Sequence, residues 1–305
     1  MPASFAAHPA TVSSRTRMLR NALALALGLS GASVFATPTL LGFYTFENAN
    51  GSLWNVVDQS GNGKNAVSVA SNGSATVTTG GQGYEGEAAR FTPTSGNMPN
   101  AGFEVAIDIG PSLGDLTIGG WLKRIPTVNT SNGGPSGMAG YGLNTFFGSD
   151  NGCWDRGLWY GSQGWEITGK NGCAGPTRTG VTMTDNEWHF VLVSYSGITA
   201  SLYIDGVFKA SADSYSTGGG SPRLRLGAFD GSATTEPWDG LIDNVFIMRN
   251  ALNASQVADL NAQGAAGVYR LAGLQPPGAV PVPGTLALVG LALLAGAAVR
   301  RRSAR

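Results

Sequence analysis

Three groups of residues in this 305-residue chain have types and spacings suited to chemistry. The first is Asp58-Gln59-Ser60-Gly61-Asn62-Gly63, which offers a carboxylate, a hydroxyl, an amide and flexible carbonyls. These are the hard oxygen donors that calcium takes. An EF-hand is excluded, because the bidentate glutamate expected at the twelfth position is Val69 and the flanks read as strand. The same letters also spell an Asx-type turn, and both readings stand. The second group is Trp154, Trp159, Tyr160 and Trp165, bracketed by Cys153 and Cys173. Flat rings with a polar edge can stack on a sugar. Large aromatics are more often core, yet strand alternation cannot send all four inward. The third is a possible acid pair. Retaining glycoside hydrolysis needs two carboxyl groups about 5 Å apart. The nearest pair here, Glu104 and Asp108, has no third acid, and His189 has no evident serine and acid partners. The reading is therefore not an enzyme, although acids on separate strands can converge.

Short apolar runs separated by turns must position these groups. The 46 glycines fall between the runs instead of forming one tract, which implies many turns and many strands. Trp188 to Tyr195 and Ser201 to Ile204 read as strands, and Asp205-Gly206 supplies the positive φ values of a two-residue hairpin to Val207-Phe208. Further strands are expected at Leu41 to Phe46, Ala75 to Thr79, Leu116 to Lys123, Arg156 to Tyr160, Trp165 to Thr168, Arg223 to Gly227 and Leu241 to Ile247. One helix is convincing: Asn253 caps it, Gln256 completes a capping box, Val257 and Leu260 share a face, and Gly264 ends it. The expectation is an all-β sandwich of one domain.

The two ends are addresses. Arg15, Arg17 and Arg20 precede the apolar stretch Ala22 to Leu29, and Val34-Phe35-Ala36 forms a small-residue cleavage site, so 1–36 reads as a signal peptide with a possible true start at Met18. At the other end, Pro281-Val282-Pro283-Gly284 is followed by the apolar run Thr285 to Val299 and by Arg300, Arg301, Arg302 and Arg305. Fifteen apolar residues are short for a bilayer, and spanning needs local thinning or snorkelling arginines. The basic end sets the orientation and leaves everything upstream outside. Residues 37–264 are then the folded domain and 265–280 a Pro/Gly/Ala-rich linker. The zero formal charge describes the precursor only, because the span 37–278 holds nineteen acidic and twelve basic side chains. That balance argues against a nucleic-acid partner. In an exported chain Cys153 and Cys173 are expected to pair, two free thiols being the alternative. Zinc is disfavoured by the single histidine, His189, of this span.

The C-terminal order of proline motif, apolar run and basic end resembles the PEP-CTERM sorting signal, with Val282 where the motif has glutamate. The resemblance implies recognition by an exosortase-type membrane protease, transient anchoring in the inner membrane through the C-terminal hydrophobic helix, and delivery to the cell surface or outside. A plain tail anchor would also place the domain outside. Four blocks of the core resemble LamG-like jelly-roll modules of the concanavalin A-like lectin/glucanase superfamily. They are Gly42 to Glu47 with Asp58 to Gly63, Leu116 to Lys123, Trp188 to Gly206, and Asp239 to Val245 leading to Ala251-Leu252. The resemblance implies a two-sheet antiparallel jelly-roll sandwich and a structural calcium on Asp243, with Glu47, Asp58 and Asn62 as further ligands. The alternative for Asp243 is a satisfied sheet-edge carboxylate. By the same resemblance Trp121 and Trp188 are core, while Trp54 and Trp238 stay open. The function implied is a non-catalytic surface module that binds extracellular polysaccharide or matrix. A protein-contacting adhesion module is the alternative, and a polysaccharide hydrolase or lyase comes third.

Overall fold

The computed structural model describes residues 37–47, 54–70, 74–78, 81–92, 101–126, 144–148, 156–161, 163–168, 176–214, 223–228 and 238–277. The sandwich lies wholly within residues 38–305. The expected signal peptide, Cys153, Trp154, Cys173, the Pro281-Val282-Pro283 motif and the apolar run 285–299 lie outside the described residues. Among the described residues no helix is long and apolar enough to cross a membrane.

Among the described residues the sequence alternation resolves into two eight-stranded antiparallel sheets. The first runs in the order β14 (Val207–Asp213), β13 (Thr199–Ile204), β12 (His189–Ser196), β7 (Leu116–Arg124), β16 (Gly240–Met248), β5 (Ala89–Thr92) and β4 (Ser74–Val77). β5 pairs with the first three residues of β16, and β1 (Leu40–Tyr44) pairs with its second half. The second sheet runs β11 (Thr177–Arg178), β10 (Gly164–Thr168), β9 (Gly157–Gly161), β8 (Asn144–Gly148), β15 (Leu224–Leu226), β6 (Ala101–Val105), β3 (Ala66–Ala70) and β2 (Asn55–Val56). This is the expected all-β jelly-roll sandwich.

Alternation decides which side chains meet. Leu116, Ile118 and Leu122 of β7, with Val191, Val193 and Tyr195 of β12, face the second sheet and join the inter-sheet core. Trp121, Phe190 and Leu192 point the other way, into a second apolar layer. Gly119 is required there, because a Cβ would lie 2.6 Å from the Phe246 ring. Asp205 and Gly206 take φ values of 51° and 78°, as the tight hairpin demands.

The second layer exists because a helix, α1 (Ala254–Leu271), covers the outer face of the first sheet. Its start follows the sequence: Asn253 Oδ1 accepts from the Gln256 amide at 3.0 Å, and Gln256 Oε1 accepts from the Asn253 amide at 3.0 Å. Its end does not. Gly264 adopts φ 58° and breaks the helix where expected, but the chain resumes helical geometry to Leu271. Val268 and Tyr269 of this second segment are buried, and Tyr269 meets Phe43 edge-on at 5.0 Å. The span expected as linker from 265 is therefore part of the folded domain as far as Leu271.

Candidate functional site

The first sheet carries a bulge where β16 passes β7: the register slips between Asp243 and Phe246, and Asn244 takes the left-handed φ of 48°. Asp243 is fully buried there. Its Oδ2 accepts from the Glu85 amide at 3.0 Å and its Oδ1 from the Asn244 amide at 2.6 Å. Glu85 Oε2 in turn accepts from Asn244 Nδ2 at 2.9 Å and from the Ala265 amide at 3.1 Å. Glu47, just past β1, accepts the Glu87 amide at 2.9 Å. The loop 81–87 can lie this close only because it is glycine-rich. A Cβ on Gly86 would sit 2.1 Å from Glu47 Oε1, and one on Gly83 would sit 2.9 Å from Asp243 Oδ2.

Three carboxylates thus share one corner, and among the described residues none of them forms an ion pair with a basic side chain. Burial pushes the Asp243 carboxyl well above the ordinary range, two backbone amides oppose that, and the charges of Glu47 and Glu85 push it further up. Glu47 is also raised, first by burial, then by Glu87 and Glu85 against the pull of the Glu87 amide. Clustered carboxylates without a basic partner are the charge pattern that attracts a divalent cation. Among the described residues no three His, Cys, Asp or Glu side chains are arranged to hold a metal ion. The corner has the charge for a cation without finished ligand geometry.

Of the four expected calcium ligands, the structure brings Glu47 and Asp243 together and adds Glu85, which the sequence reading missed. Asp58 and Asn62 serve another network. Asp58 Oδ1 accepts from the amides of Phe43 (3.0 Å) and Ser60 (2.9 Å), and Oδ2 accepts from Ser60 Oγ (2.8 Å) and the Lys64 amide (3.0 Å). Asn62 Nδ2 donates to the carbonyls of Leu40 (2.8 Å) and Leu41 (3.2 Å). This is the Asx-turn alternative, and it fastens the loop to β1. The clue to Glu85 was the run Gly80-Gly81-Gln82-Gly83-Tyr84-Glu85-Gly86-Glu87, where acids alternate with residues that permit close backbone approach.

An aromatic group adjoins the corner. Tyr84, 40% exposed, stacks on the buried Trp121 at 5.1 Å and 20°, and Trp188 meets it edge-on at 6.2 Å. A cleft of about 530 Å³ opens alongside, lined by Glu47, Glu85, Asn244, Val57, Tyr269 and Pro277. Burial pushes the Tyr269 hydroxyl up to about 12.

Three of the four aromatics expected as a sugar platform do not reach the surface, and Trp154 lies outside the described residues. Trp159, Tyr160 and Trp165 are all buried. Tyr160 and Trp165 belong to the inter-sheet core, and Trp165 stacks on Trp238 at 6.1 Å. Trp159 faces the other way, and its Nε1 donates to Glu166 Oε2 at 3.0 Å. Burial raises the Glu166 carboxyl against the opposing effects of Trp159 and Arg178, the latter 3.5 Å away. The two acids weighed as a hydrolytic pair are engaged separately. Glu104 pairs with Arg225 at 3.3 Å, and Asp108 Oδ1 accepts the Gly110 amide at 2.8 Å. His189 Nδ1 lies 2.9 Å from Asp205 Oδ2, beside the hairpin turn.

Comparison with known proteins agrees with this architecture. Residues 111–258 match the family model of the Concanavalin A-like lectin/glucanases superfamily, and residues 279–302 match the PEP-CTERM protein-sorting motif. The chain thus carries a concanavalin A-like domain and a sorting signal that implies export, exosortase processing and cell-surface association. No curated protein sequence matches it. Among solved structures it is similar to domain 4 of AbnA, a GH43 extracellular arabinanase from Geobacillus stearothermophilus in complex with arabinotriose, at 20% identity and TM-score 0.50, covering 74% of this chain and 99% of that one. It is also similar to the binding domain of Paraclostridial Mosquitocidal Protein 1, at 18% identity and TM-score 0.51, covering 73% of this chain and 52% of that one. This chain therefore spans about half of the second relative's length. At these identities the likeness shows the fold.

Proposed function

We propose that this chain is a non-catalytic, exported module that binds extracellular polysaccharide at the aromatic corner around Tyr84, beside α1. The observation that carries the reading is the Tyr84–Trp121 stack, with Tyr84 open to solvent and Trp188 beside it, next to a cleft whose carboxylates have no basic partner among the described residues. Stacked rings offer a sugar face apolar area, and neighbouring carboxylates and amides accept or donate to its hydroxyls. The arabinanase domain was solved with an arabinose oligosaccharide, which supports a glycan as the class of partner. Calcium is proposed as a structural ion at Glu47, Glu85 and Asp243, where it would neutralise the corner and fix the loop that presents Tyr84. In the same reading the apolar run 285–299 anchors the precursor in the inner membrane until an exosortase acts at Pro281-Val282-Pro283.

The test is retention of the exported protein on a panel of insoluble and matrix polysaccharides, with and without a chelator. Retention on a glycan that weakens with chelator is the expected result. Failure on every glycan together with capture of another surface protein would replace the reading by an adhesion module, and release of reducing ends or unsaturated sugars would replace it by an enzyme.

A further inference from the structure

The outermost strand of the first sheet, β14, has no paired strand on its far side among the described residues, while α1 packs against part of it and Phe208 meets Tyr203 edge-on at 5.7 Å. An open edge of this length is a template for strand pairing. It also gathers exposed apolar side chains that the fold does not explain. Val207 and Phe208 at one end of the strand are 55% and 52% exposed. Ile198, 64% exposed, stands at the other end, where its carbonyl accepts the Ser214 amide at 2.7 Å.

We infer that β14 is a self-association edge at which a second copy of this chain pairs antiparallel about a two-fold axis through Ser211. Such a pairing sets each residue opposite its mirror position: Ser211 faces Ser211 of the second copy, Ala210 faces Ala212, and Lys209 faces Asp213. Ala212 and the cross-strand partner of Ala210, Leu202, belong to the inter-sheet core. Alternation therefore leaves Lys209, Ser211 and Asp213 on the outer side, all three exposed. The pairing makes two symmetric Lys209–Asp213 contacts, and directly opposed opposite charges stabilise a sheet pair.

The residues between them are small, so two backbones can approach to hydrogen-bonding distance. The same symmetry carries Val207 and Phe208 of each copy toward the Ile198 end of the other. Lysine and a bulge ordinarily blunt an edge against strangers. Here the register slips between Leu202 and Tyr203, opposite the strand's Phe208–Ala210 stretch, and Lys209 sits at that slip. The blunting device also selects, since only an antiparallel partner with an acid four residues on satisfies it. Interfaces of stable pairs bury about 1,200 Å² or more. The strand contact is short for that, and the apolar side chains at its two ends are where the remaining area is available.

The test uses the full chain, exported by its own signals, with Ser211→Cys as the probe and Ser255→Cys, at the exposed start of α1, as the control. Directly opposed strand residues have Cα atoms about 4.5–5.5 Å apart, within disulfide reach. At equal amounts of exported protein, Ser211→Cys is expected to give a dimer on a non-reducing gel that reverts on reduction, and Ser255→Cys at most a tenth of it. Adding Lys209→Asp or Asp213→Lys alone should cut the dimer at least threefold, and adding both should restore it. A Ser211→Cys dimer no stronger than the control, or one indifferent to the single charge reversals, overturns the proposal. Because all the substituted side chains are exposed, loss of the fold does not confuse the result, and glycan retention by the same variants is expected to be unchanged.

Discussion

The backbone amide of Ala265 donates to Glu85 Oε2 at 3.1 Å, a contact that joins residues 180 positions apart. It caps the second segment of α1 at the place where Gly264 breaks the first. Glu85 acts there as a borrowed N-cap, and caps are worth about 1 kcal/mol. Glu85→Ala should lower the denaturation free energy by about that amount and speed amide exchange over 265–271 about fivefold more than elsewhere. Glu85→Gln keeps an acceptor oxygen and should retain most of the protection. Equal exchange in all three proteins would show that the contact does not hold the helix.

Acidity and calcium should oppose each other at the same corner. Asp243 and Glu47 have carboxyls raised in the folded state, mainly by burial. A raised group binds its proton more tightly in the folded than in the unfolded chain. Its contribution is therefore fully present below the ordinary carboxylate range and is lost as the pH rises through the folded value. In chelator, the melting temperature should climb as the pH falls from neutral toward that range. With excess calcium the neutral-pH deficit should shrink and the slope flatten. A melting curve equally steep with and without calcium, followed by calorimetry across that window, would count against the ion.

The legible parts of this fold were those where one short segment states its own structure. Asp205-Gly206 and the Asn253/Gln256 box need only local geometry, and both came out as read. Strands β2, β3, β5, β6, β8 and β11 were missed, because Ala66-Val67-Ser68-Val69-Ala70 and its counterparts are short, mixed runs that become strands only by pairing within the sheets. The site was half legible for the same reason. Glu47 lies just past β1 and Asp243 on β16, both with recognisable surroundings, whereas Glu85 joins them through a loop whose course depends on the bulge at Asn244. The helix overran its Gly264 stop because the compensating cap comes from that same loop.

The glycan reading makes Tyr84 the exposed member of the stack and Trp121 its buried support. Tyr84→Ala should weaken retention about tenfold, which corresponds to about 1.4 kcal/mol, while leaving the melting temperature within a degree or two. Tyr84→Phe should keep most of the binding, since the stacking face survives. Trp121→Ala should unfold the layer beneath α1 and is uninformative about sugars. Quantitative pull-down against the best polysaccharide of the panel separates these outcomes, and undiminished retention by Tyr84→Ala would move the site elsewhere.

The indole of Trp159 holds a buried carboxylate, not a ligand, in this arrangement. Trp159→Phe keeps most of the apolar volume but removes the donor from Glu166, and stranding a buried acceptor costs about 1–3 kcal/mol. The variant should melt earlier and bind the same glycan with unchanged affinity. Weakened binding by a protein that is fully folded at the assay temperature would return this hairpin to the list of binding surfaces.

Asp58 offers the sharpest separation between a turn residue and a cation ligand. Its carboxylate accepts four hydrogen bonds, and the Phe43 amide among their donors is buried. Asp58→Ala removes every one and should destabilise the domain by about 3 kcal/mol. Asp58→Asn keeps one acceptor oxygen and loses the charge, so it should fall between. Neither loss should depend on calcium, because the cation corner proposed above uses Glu47, Glu85 and Asp243 and not Asp58. Denaturant titrations with calcium and with chelator decide it: parallel losses identify a structural turn, and a loss confined to the calcium-loaded protein would make Asp58 a ligand after all.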